Sequence, residues 1–572
     1  MSAAHETATT AGLVATGLAV EGPAGTIVQP LDLAVPPGRM LAIIGESGSG
    51  KTMTARALTG LLPRGTHASG RAELAGDTAH DAAASGAVRW DLGDESDAQW
   101  SRIRGRQAVL LLQDPFTSLS PVIRCGAQIE ATIRARVRAS GTPALGRAEL
   151  AAEVERRLGE VRLPAEVARR YPSELSGGQR QRVAIAAALA AEPRLLIADE
   201  PTTALDASTQ GEVLDLLREL QRMHRMSLIL ISHDLGVVAG RADEVVVMRS
   251  GEVVERGAAA QVLAAPQHPY TRALLEANPT IAEAAVSTAS VPEPADGPDA
   301  PAPVLEAIEV SKRFGRVQAL SAASVVVRAG EIVAVVGESG SGKSTFARCI
   351  AGLELPEEGS VRLEGRELPR GRRGRTPGEM QIVFQDPYST LNPSFTVEQS
   401  LAEALRTAGR GADAVAELLA LVDLDPALAG RRPAQLSGGQ RQRVAIARAL
   451  APQPKLLICD ESVSALDVSV QAQILALLGR LRDELGLAML FITHDLGVVA
   501  RIADRAIVLR GGEVVERGDT AQVLRDPQHP YTQMLVTAAE REGAKRESAG
   551  DVRSVDPAPI TPTESTRTEV ES

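Results

Sequence analysis

The chain has few aromatic residues, few cysteines and no long apolar run, and each shortage excludes a class of protein. Only 2% of its 572 residues are aromatic, so its cores must be built from Ala, Val, Leu and Ile. The three cysteines, Cys125, Cys349 and Cys459, lie far apart and form no C-x-x-C pair, so neither disulfides nor a zinc site is expected. No stretch reaches the roughly 18 apolar residues of a membrane-spanning helix, and the N-terminus lacks the pattern of a signal peptide. These features indicate a protein of the reducing cytosol that has no membrane span of its own.

An excess of basic residues is also missing. The formal net charge is −11 and the pI is about 5.5, which argues against a general binder of nucleic acids or anionic membranes. Hydrophobic residues make up 44% of the chain and charged residues 23%. This composition is typical of a globular protein, and the length allows two or more domains with full cores.

The chain contains one unit twice. The segment LSGGQRQRVAIA occurs at 175–186 and at 436–447, an offset of 261, and HDLGVVA, GEVVERG and QHPYT each recur at the same offset. A period this long predicts duplicated domains rather than a solenoid. The first copy is longer near its start, and we expect its polar, Ala- and Asp-rich stretch at roughly 77–99 to be a surface insertion.

The segments between and after the copies have a different composition. Residues 279–303 contain six prolines, four acidic residues and no basic residue, which predicts an extended, flexible linker. Residues 1–10 and 541–572 are polar and are predicted to be disordered. Within each copy, strand-like apolar runs alternate with helical patterns, which predicts an α/β core.

Each copy contains a glycine-rich loop of the phosphate-binding kind. GESGSGKT at 45–52 follows the apolar run at 40–44 and precedes a helical pattern, and GESGSGKS at 337–344 has the same setting. Inward-pointing N–H groups and the positive end of the helix dipole would bind a polyphosphate. Lys51 would reach the β- and γ-phosphates, and the Thr52 hydroxyl would bind Mg²⁺. The predicted nucleotide-binding residues of the two loops are Gly45, Glu46, Ser47, Gly48, Ser49, Gly50, Lys51 and Thr52, and Gly337, Glu338, Ser339, Gly340, Ser341, Gly342, Lys343 and Ser344.

An apolar strand that ends in two acids follows later in each copy. The acids are Asp199 and Glu200 in the first copy, and Asp460 and Glu461 in the second. Because a buried parallel strand delivers its C-terminal residues to the ligand crevice, each aspartate could hold Mg²⁺. The adjacent glutamate could activate a water for attack on the γ-phosphate.

The LSGGQ segments predict a second pair of anion-binding helix starts. Ser176 and Ser437 would cap the helices, and the glycines that follow leave N–H groups open to a phosphate. The residues assigned to this role are Ser176, Gly177, Gly178 and Gln179, and Ser437, Gly438, Gly439 and Gln440.

Taken together, these motifs resemble two ATP-binding cassette (ABC) nucleotide-binding domains in tandem, at roughly 11–278 and 304–540. The resemblance implies an α/β fold in which each domain has a RecA-like P-loop core, a helical subdomain and an antiparallel β subdomain. It also implies ATP and Mg²⁺ as cofactors. Gln113 and Gln385 match the Q-loops, which the family places at the Mg²⁺ and in catalysis. His233 and His494 match the catalytic switch histidines, and residues 204–206 and 465–467 match the D-loops.

The closer resemblance is to the importer ATPases for dipeptides, oligopeptides and nickel. It rests on the Q-loop segments at 113–121 and 385–393 and on the two HPYT segments. It implies an ATP-hydrolysing subunit, peripheral at the cytoplasmic face of the cell membrane, that works with two transmembrane permease subunits and an extracytoplasmic solute-binding protein, and with no nucleic acid. Several relatives carry an iron–sulfur cysteine cluster after HPYT, but no cysteine follows Cys459 here, so no cluster is predicted.

The family mechanism implies that the two domains pair head to tail. The phosphate loop of Lys51 would face the LSGGQ segment, or signature, that contains Ser437. The phosphate loop of Lys343 would face the signature that contains Ser176. Because both copies keep every catalytic residue type, we expect both sites to hydrolyse ATP. In the second copy Phe314 fits the aromatic that stacks on adenine, or it could be a simple core residue; the first copy has Gly22 at the matching position.

Other roles for a tandem cassette protein stay open at this point. An exporter subunit shares the same chemistry. A soluble protein acting on ribosomes usually has a longer and more charged linker, and a DNA-repair ATPase carries zinc-binding cysteines. Neither feature is found in this sequence.

Overall fold

The computed structural model describes residues 12–75, 87–94, 96–113, 118–202, 207–276, 302–386, 390–464 and 466–550, without the side chains of 207–208, 236–237, 412 and 541–550. The predicted disordered N-terminus, most of the linker and the D-loop at 204–206 therefore lie outside the described residues. The elements of the first copy are β1 (Leu13–Gly22), β2 (Gly25–Val35), β3 (Met40–Ile44), α1 (Lys51–Thr59), β4 (His67–Leu74), β5 (Val88–Asp91), α2 (Asp97–Ile103), β6 (Ala108–Leu111), α3 (Cys125–Ser140), α4 (Arg147–Glu160), α5 (Gly177–Leu189), β7 (Leu195–Asp199), α6 (Ala207–Met223), β8 (Ser227–Ser232), α7 (Leu235–Val238), β9 (Glu244–Arg249), β10 (Glu252–Ala258), α8 (Ala259–Ala264) and α9 (Pro269–Glu276).

The described part of the second copy repeats this order without a counterpart of α2. Its elements are β11 (Pro303–Phe314), β12 (Val317–Arg328), β13 (Ile332–Val336), α10 (Lys343–Ile350), β14 (Glu358–Leu363), β15 (Arg366–Glu367), β16 (Met380–Val383), α11 (Val397–Thr407), α12 (Val415–Leu421), α13 (Gly438–Leu450), β17 (Leu456–Asp460), α14 (Val468–Leu485), β18 (Ala488–Thr493), α15 (Leu496–Ile502), β19 (Arg505–Arg510), β20 (Glu513–Asp519), α16 (Thr520–Arg525) and α17 (Pro530–Gly550). Short 3₁₀ turns, among them Pro172–Glu174 and Pro433–Gln435, precede the signature helices α5 and α13.

Each copy is built on a six-stranded and a four-stranded sheet. The six-stranded sheet has the order β10-β9-β3-β8-β7-β6, and the second copy has the corresponding order β20-β19-β13-β18-β17-β16. All neighbours are parallel except the outer pair β9–β10, or β19–β20. The four-stranded sheets, β2-β1-β4-β5 and β12-β11-β14-β15, are antiparallel. The predicted α/β fold with an antiparallel β subdomain is confirmed.

The central strands explain where the core lies. All five residues of β3 are buried, and they alternate between two apolar clusters. Met40, Ala42 and Ile44 face the cluster that contains helices α3 to α5, whereas Leu41 and Ile43 face the cluster that contains α1 and the antiparallel sheet. A strand covered on both faces is apolar throughout, which is why these runs are visible in the sequence.

The stretch predicted as a surface insertion is partly integrated into the fold. Residues 76–86 lie outside the described residues, but β5 joins the antiparallel sheet and α2 follows it. Trp90 and Trp100, the only tryptophans of the chain, are both buried. The Trp100 ring lies so close to Gly60 that a Cβ there would be 2.3 Å from it. The polar composition concealed this packing because a few apolar residues carry it: Val88, Trp90 and Leu92 within the stretch, and Trp100 directly after it.

The ends of the second copy also differ from the sequence prediction. Pro303, assigned to the linker, begins β11, and α17 continues to Gly550, ten residues into the tail predicted to be disordered from residue 541. Helix α17 packs against α6, α7 and α8 of the first copy, so it connects the two halves. In the described part of the chain, no helix combines the length and the apolar character needed to cross a bilayer.

Candidate functional site

The phosphate loops join a central strand to a helix, as the sequence predicts. The loop at 45–52 leaves β3 and enters α1 through Gly50, whose φ of 101° lies in the left-handed region that favours glycine. At Gly45, a Cβ would come within 2.1 Å of the Met248 carbonyl oxygen. Gly342 and Gly337 have the same conformations in the second copy. The glycines therefore let the loop curl tightly against β9 and β19.

The loop lysines are buried inside their loops. The Lys51 ammonium donates to the carbonyls of Gly45 and Glu46 at 2.6 and 2.9 Å, and Lys343 donates to Gly337 and Glu338 at 2.8 Å each. Burial lowers the pKa of Lys51, although the carboxylates of Glu200, Asp467 and Asp199 oppose that effect. Each lysine is thus held by the carbonyls at the start of its own phosphate loop.

The hydroxyl that follows each lysine lies beside the first strand-end acid. Thr52 Oγ1 donates to Asp199 Oδ1 at 3.1 Å, and Ser344 Oγ donates to Asp460 Oδ1 at 2.9 Å. Burial raises the pKa of both aspartates. A hydroxyl and a carboxylate fit Mg²⁺, which takes one or two protein oxygens and completes its shell with phosphates and water. No cluster of three or more His, Cys, Asp or Glu side chains suited to a metal occurs among the described residues.

The second strand-end acid of each copy meets the switch histidine. Glu200 Oε1 lies 3.2 Å from His233 Nδ1, and Glu461 Oε1 lies 3.5 Å from His494 Nδ1. Burial opposes protonation of both histidines, but the hydrogen bond and charge of the glutamate outweigh it and raise each histidine's pKa. The same pairing lowers the pKa of Glu461.

The backbone of both glutamates is strained. Glu200 has φ 45° and Glu461 has φ 49°, a region that non-glycine residues enter at a cost and that is frequent at functional sites. Each N–H is fixed to the neighbouring strand, to the carbonyls of Ile231 and Ile492 at 3.0 Å. The sheet therefore turns these two carboxylates toward the histidines and the phosphate loop.

The two Q-loop glutamines make different contacts, Gln113 with Glu200 and Gln385 with Ser464. Gln113 Nε2 donates to Glu200 Oε2 at 2.8 Å, and Gln385 Nε2 donates to Ser464 Oγ at 3.5 Å. Among the described contacts, neither glutamine bonds to the hydroxyl–aspartate pair. Their predicted role as Mg²⁺ ligands therefore stays a prediction, whereas Gln113 contacts Glu200, the predicted general base.

The signature segments cap their helices as predicted. Ser176 Oγ accepts from Gln179 N at 3.3 Å, and the Gln179 side chain accepts from Ser176 N at 3.2 Å. Ser437 and Gln440 form the same reciprocal box. The second signature glycine has no room for a side chain, because a Cβ on Gly439 would lie 2.5 Å from Val470.

One contact links the phosphate loop of the first copy to the second copy. Ser47 Oγ donates to Asp467 Oδ1 at 2.6 Å. Asp467 belongs to the predicted D-loop and is the N-cap residue of α14, the helix that packs against the signature helix α13. The structure thus brings the first phosphate loop together with the D-loop of the other copy.

The predicted adenine platform is exposed. Phe314 ends β11 with 47% of its surface accessible, and Lys312 Nζ lies 5.0 Å from its ring centroid. This exposure argues against a core role. Gly22 ends β1 at the equivalent hairpin position, and Ile27 lies against it, 2.6 Å from where a Cβ would be.

Two tyrosines of the site were missed by the sequence analysis. The N–H of Glu46 donates to Tyr270 Oη at 3.1 Å, and the N–H of Glu338 donates to Tyr531 Oη at 3.1 Å. Both belong to HPYT, which served only as a mark of resemblance. The recurrence of QHPYT at the same offset as the catalytic motifs was the signal that could have pointed to them.

Comparison with known proteins shows which family the sequence matches. The model of the family described as "ABC transporter" matches residues 28–203 and 320–464, and that of "Oligopeptide/dipeptide transporter, C-terminal region" matches 254–299 and 515–564. The chain is 41% identical to the glutathione import ATP-binding protein GsiA of Salmonella typhimurium over 554 residues, or 91% of this chain and 87% of the relative. It is also 41% identical to GsiA of Escherichia coli K12, over 89% of this chain and 86% of the relative. Among solved structures, cbiO1 from Clostridium perfringens, part of an ABC transporter complex, is 28% identical with a TM-score of 0.37, over 39% of this chain and 91% of its own.

Proposed function

The chain belongs to the family of ABC transporter ATP-binding proteins, and from that premise we propose that it powers the import of peptides or similarly small solutes. It is an ATPase with two fused cassettes. The observation that carries the proposal is the 41% identity over nine-tenths of the chain to glutathione import ATPases, together with the oligopeptide-type C-terminal region in both copies. Glutathione, the solute in the relatives' names, is the first candidate.

In this proposal the two ATP sites work as the geometry suggests. Lys51 and Lys343 would turn from their loop carbonyls to the β- and γ-phosphates. Thr52 with Asp199, and Ser344 with Asp460, would hold Mg²⁺, which neutralises charge on the phosphates. Glu200 and Glu461 would accept the proton of the attacking water. His233 and His494 would hold these two carboxylates in place.

The two copies would pair head to tail around the nucleotides. The Ser47–Asp467 hydrogen bond supports this arrangement, because it brings the D-loop of one copy to the phosphate loop of the other. Closure on ATP and release after hydrolysis would then move the partner subunits. We propose two permease subunits and an extracytoplasmic solute-binding protein as partners, and a peripheral position at the cytoplasmic face of the membrane.

Reconstitution of the complete assembly tests this proposal. The tagged chain is purified from membranes with its co-purifying permeases, inserted into proteoliposomes and assayed for uptake of labelled glutathione, a dipeptide and an oligopeptide. We expect ATP-dependent movement of at least one solute toward the side that bears the ATPase, and none with Glu200→Gln/Glu461→Gln. Movement in the other direction would identify an exporter, and co-purification with ribosomes instead of permeases would contradict the transport role.

A further inference from the structure

The HPYT segment of each copy contacts the phosphate loop directly. We propose that Tyr270 and Tyr531 are positioning residues that hold the two phosphate loops in the shape that binds nucleotide. The inference rests on the nucleotide sites proposed above, and it is independent of the solute.

The tyrosines are themselves held firmly. Glu255 accepts hydrogen bonds from the N–H groups of Gln267 and His268 at 2.8 and 3.1 Å, and His268 Nδ1 accepts from the N–H of Tyr270 at 3.1 Å. The Arg249 guanidinium covers the ring, with its central carbon 5.0 Å from the centroid. These contacts therefore fix the position of the Tyr270 hydroxyl.

The second copy has the same arrangement residue by residue. Glu516 accepts from Gln528 N and His529 N at 2.8 and 3.0 Å, and His529 Nδ1 accepts from Tyr531 N at 3.1 Å. Arg510 covers the Tyr531 ring at 5.0 Å. The tyrosine contact thus recurs at both phosphate loops, together with the lysine and hydroxyl–aspartate contacts of the same loops.

The contact lies where the loop needs support. The peptide group that joins Gly45 to Glu46 is held at both ends, since its N–H donates to Tyr270 and its carbonyl accepts from Lys51 at 2.6 Å. When Lys51 turns toward a phosphate, it weakens its bonds to Gly45 and Glu46. The bond to Tyr270 does not involve the lysine and can keep the loop open. Burial raises the pKa of Tyr270 to about 12, so the hydroxyl keeps its proton at physiological pH.

The test measures ATP affinity at one site at a time. In the full chain carrying Lys343→Ala, which leaves the first site, Tyr270→Phe removes the hydroxyl and keeps the ring. We expect the dissociation constant for Mg-ATP to rise about threefold to tenfold, the net effect of one hydrogen bond. In the Lys51→Ala chain, Tyr531→Phe should weaken the second site by a similar factor. Calorimetric titration gives both values.

Crossed variants separate positioning from general destabilisation. Tyr270→Phe in the Lys51→Ala chain should leave the second site unchanged, whereas a structural defect would affect both sites. Tyr171→Phe is the matched control, because Tyr171 lies before the first signature, 36% exposed, with its ring near Arg124. It should not change binding at the Lys51 site. Unchanged affinity with Tyr270→Phe, or equal loss at both sites, would overturn the proposal.

A double-mutant cycle provides a second and independent measurement. Glu46→Pro removes the N–H that donates to Tyr270. In that background Tyr270→Phe should therefore cause little further loss of ATP affinity. Additive losses of ATP affinity would overturn the proposed role of Tyr270. The reference chains keep this test distinct from the site assignment: if Lys343→Ala and Lys51→Ala do not each bind one ATP, the assignment of the sites fails, not the role of the tyrosines.

Discussion

At the scale of single residues, the proposed chemistry depends on two carboxylates, Glu200 and Glu461, whose backbone is strained. Glu200 and Glu461 have left-handed backbone conformations, and each lies within 3.5 Å of a histidine. Their strain is maintained because a buried strand precedes them and a neighbouring strand accepts their N–H. Two predictions follow from this pairing.

The first concerns the general base. We expect Glu200→Gln/Glu461→Gln to retain ATP binding and to lower the turnover about 10²–10⁴-fold, because glutamine keeps the size of the side chain but cannot accept the proton. Steady-state phosphate release and equilibrium binding measure the two effects. Glu130→Gln, on the surface of α3 beside Arg134, is a suitable control and should leave turnover unchanged. Near-normal hydrolysis in the double variant would contradict the assignment.

The second concerns pH and stability. The pKa values of His233 and His494 are raised in the folded chain, so folding favours their protonated forms. Their stabilising contribution is therefore complete below the unfolded pKa of about 6.5 and is lost as the pH rises through the higher folded value. Without nucleotide, the urea concentration at the unfolding midpoint should decrease as the pH is raised from 6 to 9. The decrease should be smaller in His233→Gln/His494→Gln. Equal pH dependence of the two proteins would show that the pairs contribute nothing.

At the scale of elements, the two copies fill the same helix position with different chemistry. Arg157 of α4 is 1% exposed and bonds to the carboxylates of Glu153, Glu160 and Glu192. Leu418 of α12 occupies the equivalent position, at an offset of 261, and is 2% exposed in an apolar cluster. Duplicated helices therefore share a direction and a burial pattern while one core uses ion pairs and the other uses packing.

Removal of the buried arginine should be costly. We expect Arg157→Leu to destabilise the first copy by about 3 kcal/mol, the lower end of the range for breaking a buried ion pair, because Glu153 keeps Arg156 as a partner. Both tryptophans lie in the first copy, so urea unfolding followed by their fluorescence reports on that copy. Arg156→Leu, on the half-exposed neighbour, should cost under about 1 kcal/mol. Equal effects of the two substitutions would argue against a special role of the buried network.

At the scale of the whole molecule, we expect the two ATP sites to differ in affinity. Stacking on an aromatic ring contributes about 1–3 kcal/mol per base in nucleic-acid complexes. The site near Phe314 should therefore bind adenine nucleotide roughly tenfold more tightly than the site of Lys51, where Gly22 and Ile27 take its place. Titration of Lys51→Ala and Lys343→Ala measures the gap, and Phe314→Ala should narrow it. Equal affinities, or tighter binding at the Lys51 site, would show that Phe314 does not contact the base.

The connection between the copies should tolerate change. Residues 277–301 lie outside the described residues, and the composition of the linker offers little to bury. Scrambling of 279–302, which spares Pro303 at the start of β11, should preserve ATPase activity and assembly. Doubling of the linker should cost roughly 0.6 kcal/mol of closure entropy. Loss of both ATPase activity and assembly in the scrambled variant would reveal a specific role for this segment.

Most of the fold and the catalytic motifs could be predicted because local patterns determine them. A strand buried on both faces is an uninterrupted apolar run, as at 40–44, and a phosphate loop needs its glycines at fixed spacing, as at 45–52. Repetition of these patterns at one offset indicated two copies. Local rules of this kind also predicted the capping serines Ser176 and Ser437, which the structure confirms.

The sequence by itself thus determined the strand–loop–helix frame and the residue types of both ATP sites. Only the tertiary structure decided which distant groups meet there: Tyr270 bonds to Glu46 across 224 positions, and Asp467 bonds to Ser47 across 420. It also decided that Trp100, directly after the stretch predicted to be a surface insertion, packs on Gly60. The physical reason is that a single hydrogen bond or ring contact between separate elements imposes no periodicity on either segment. Such contacts exist only once the sheet has brought the ends of its strands together.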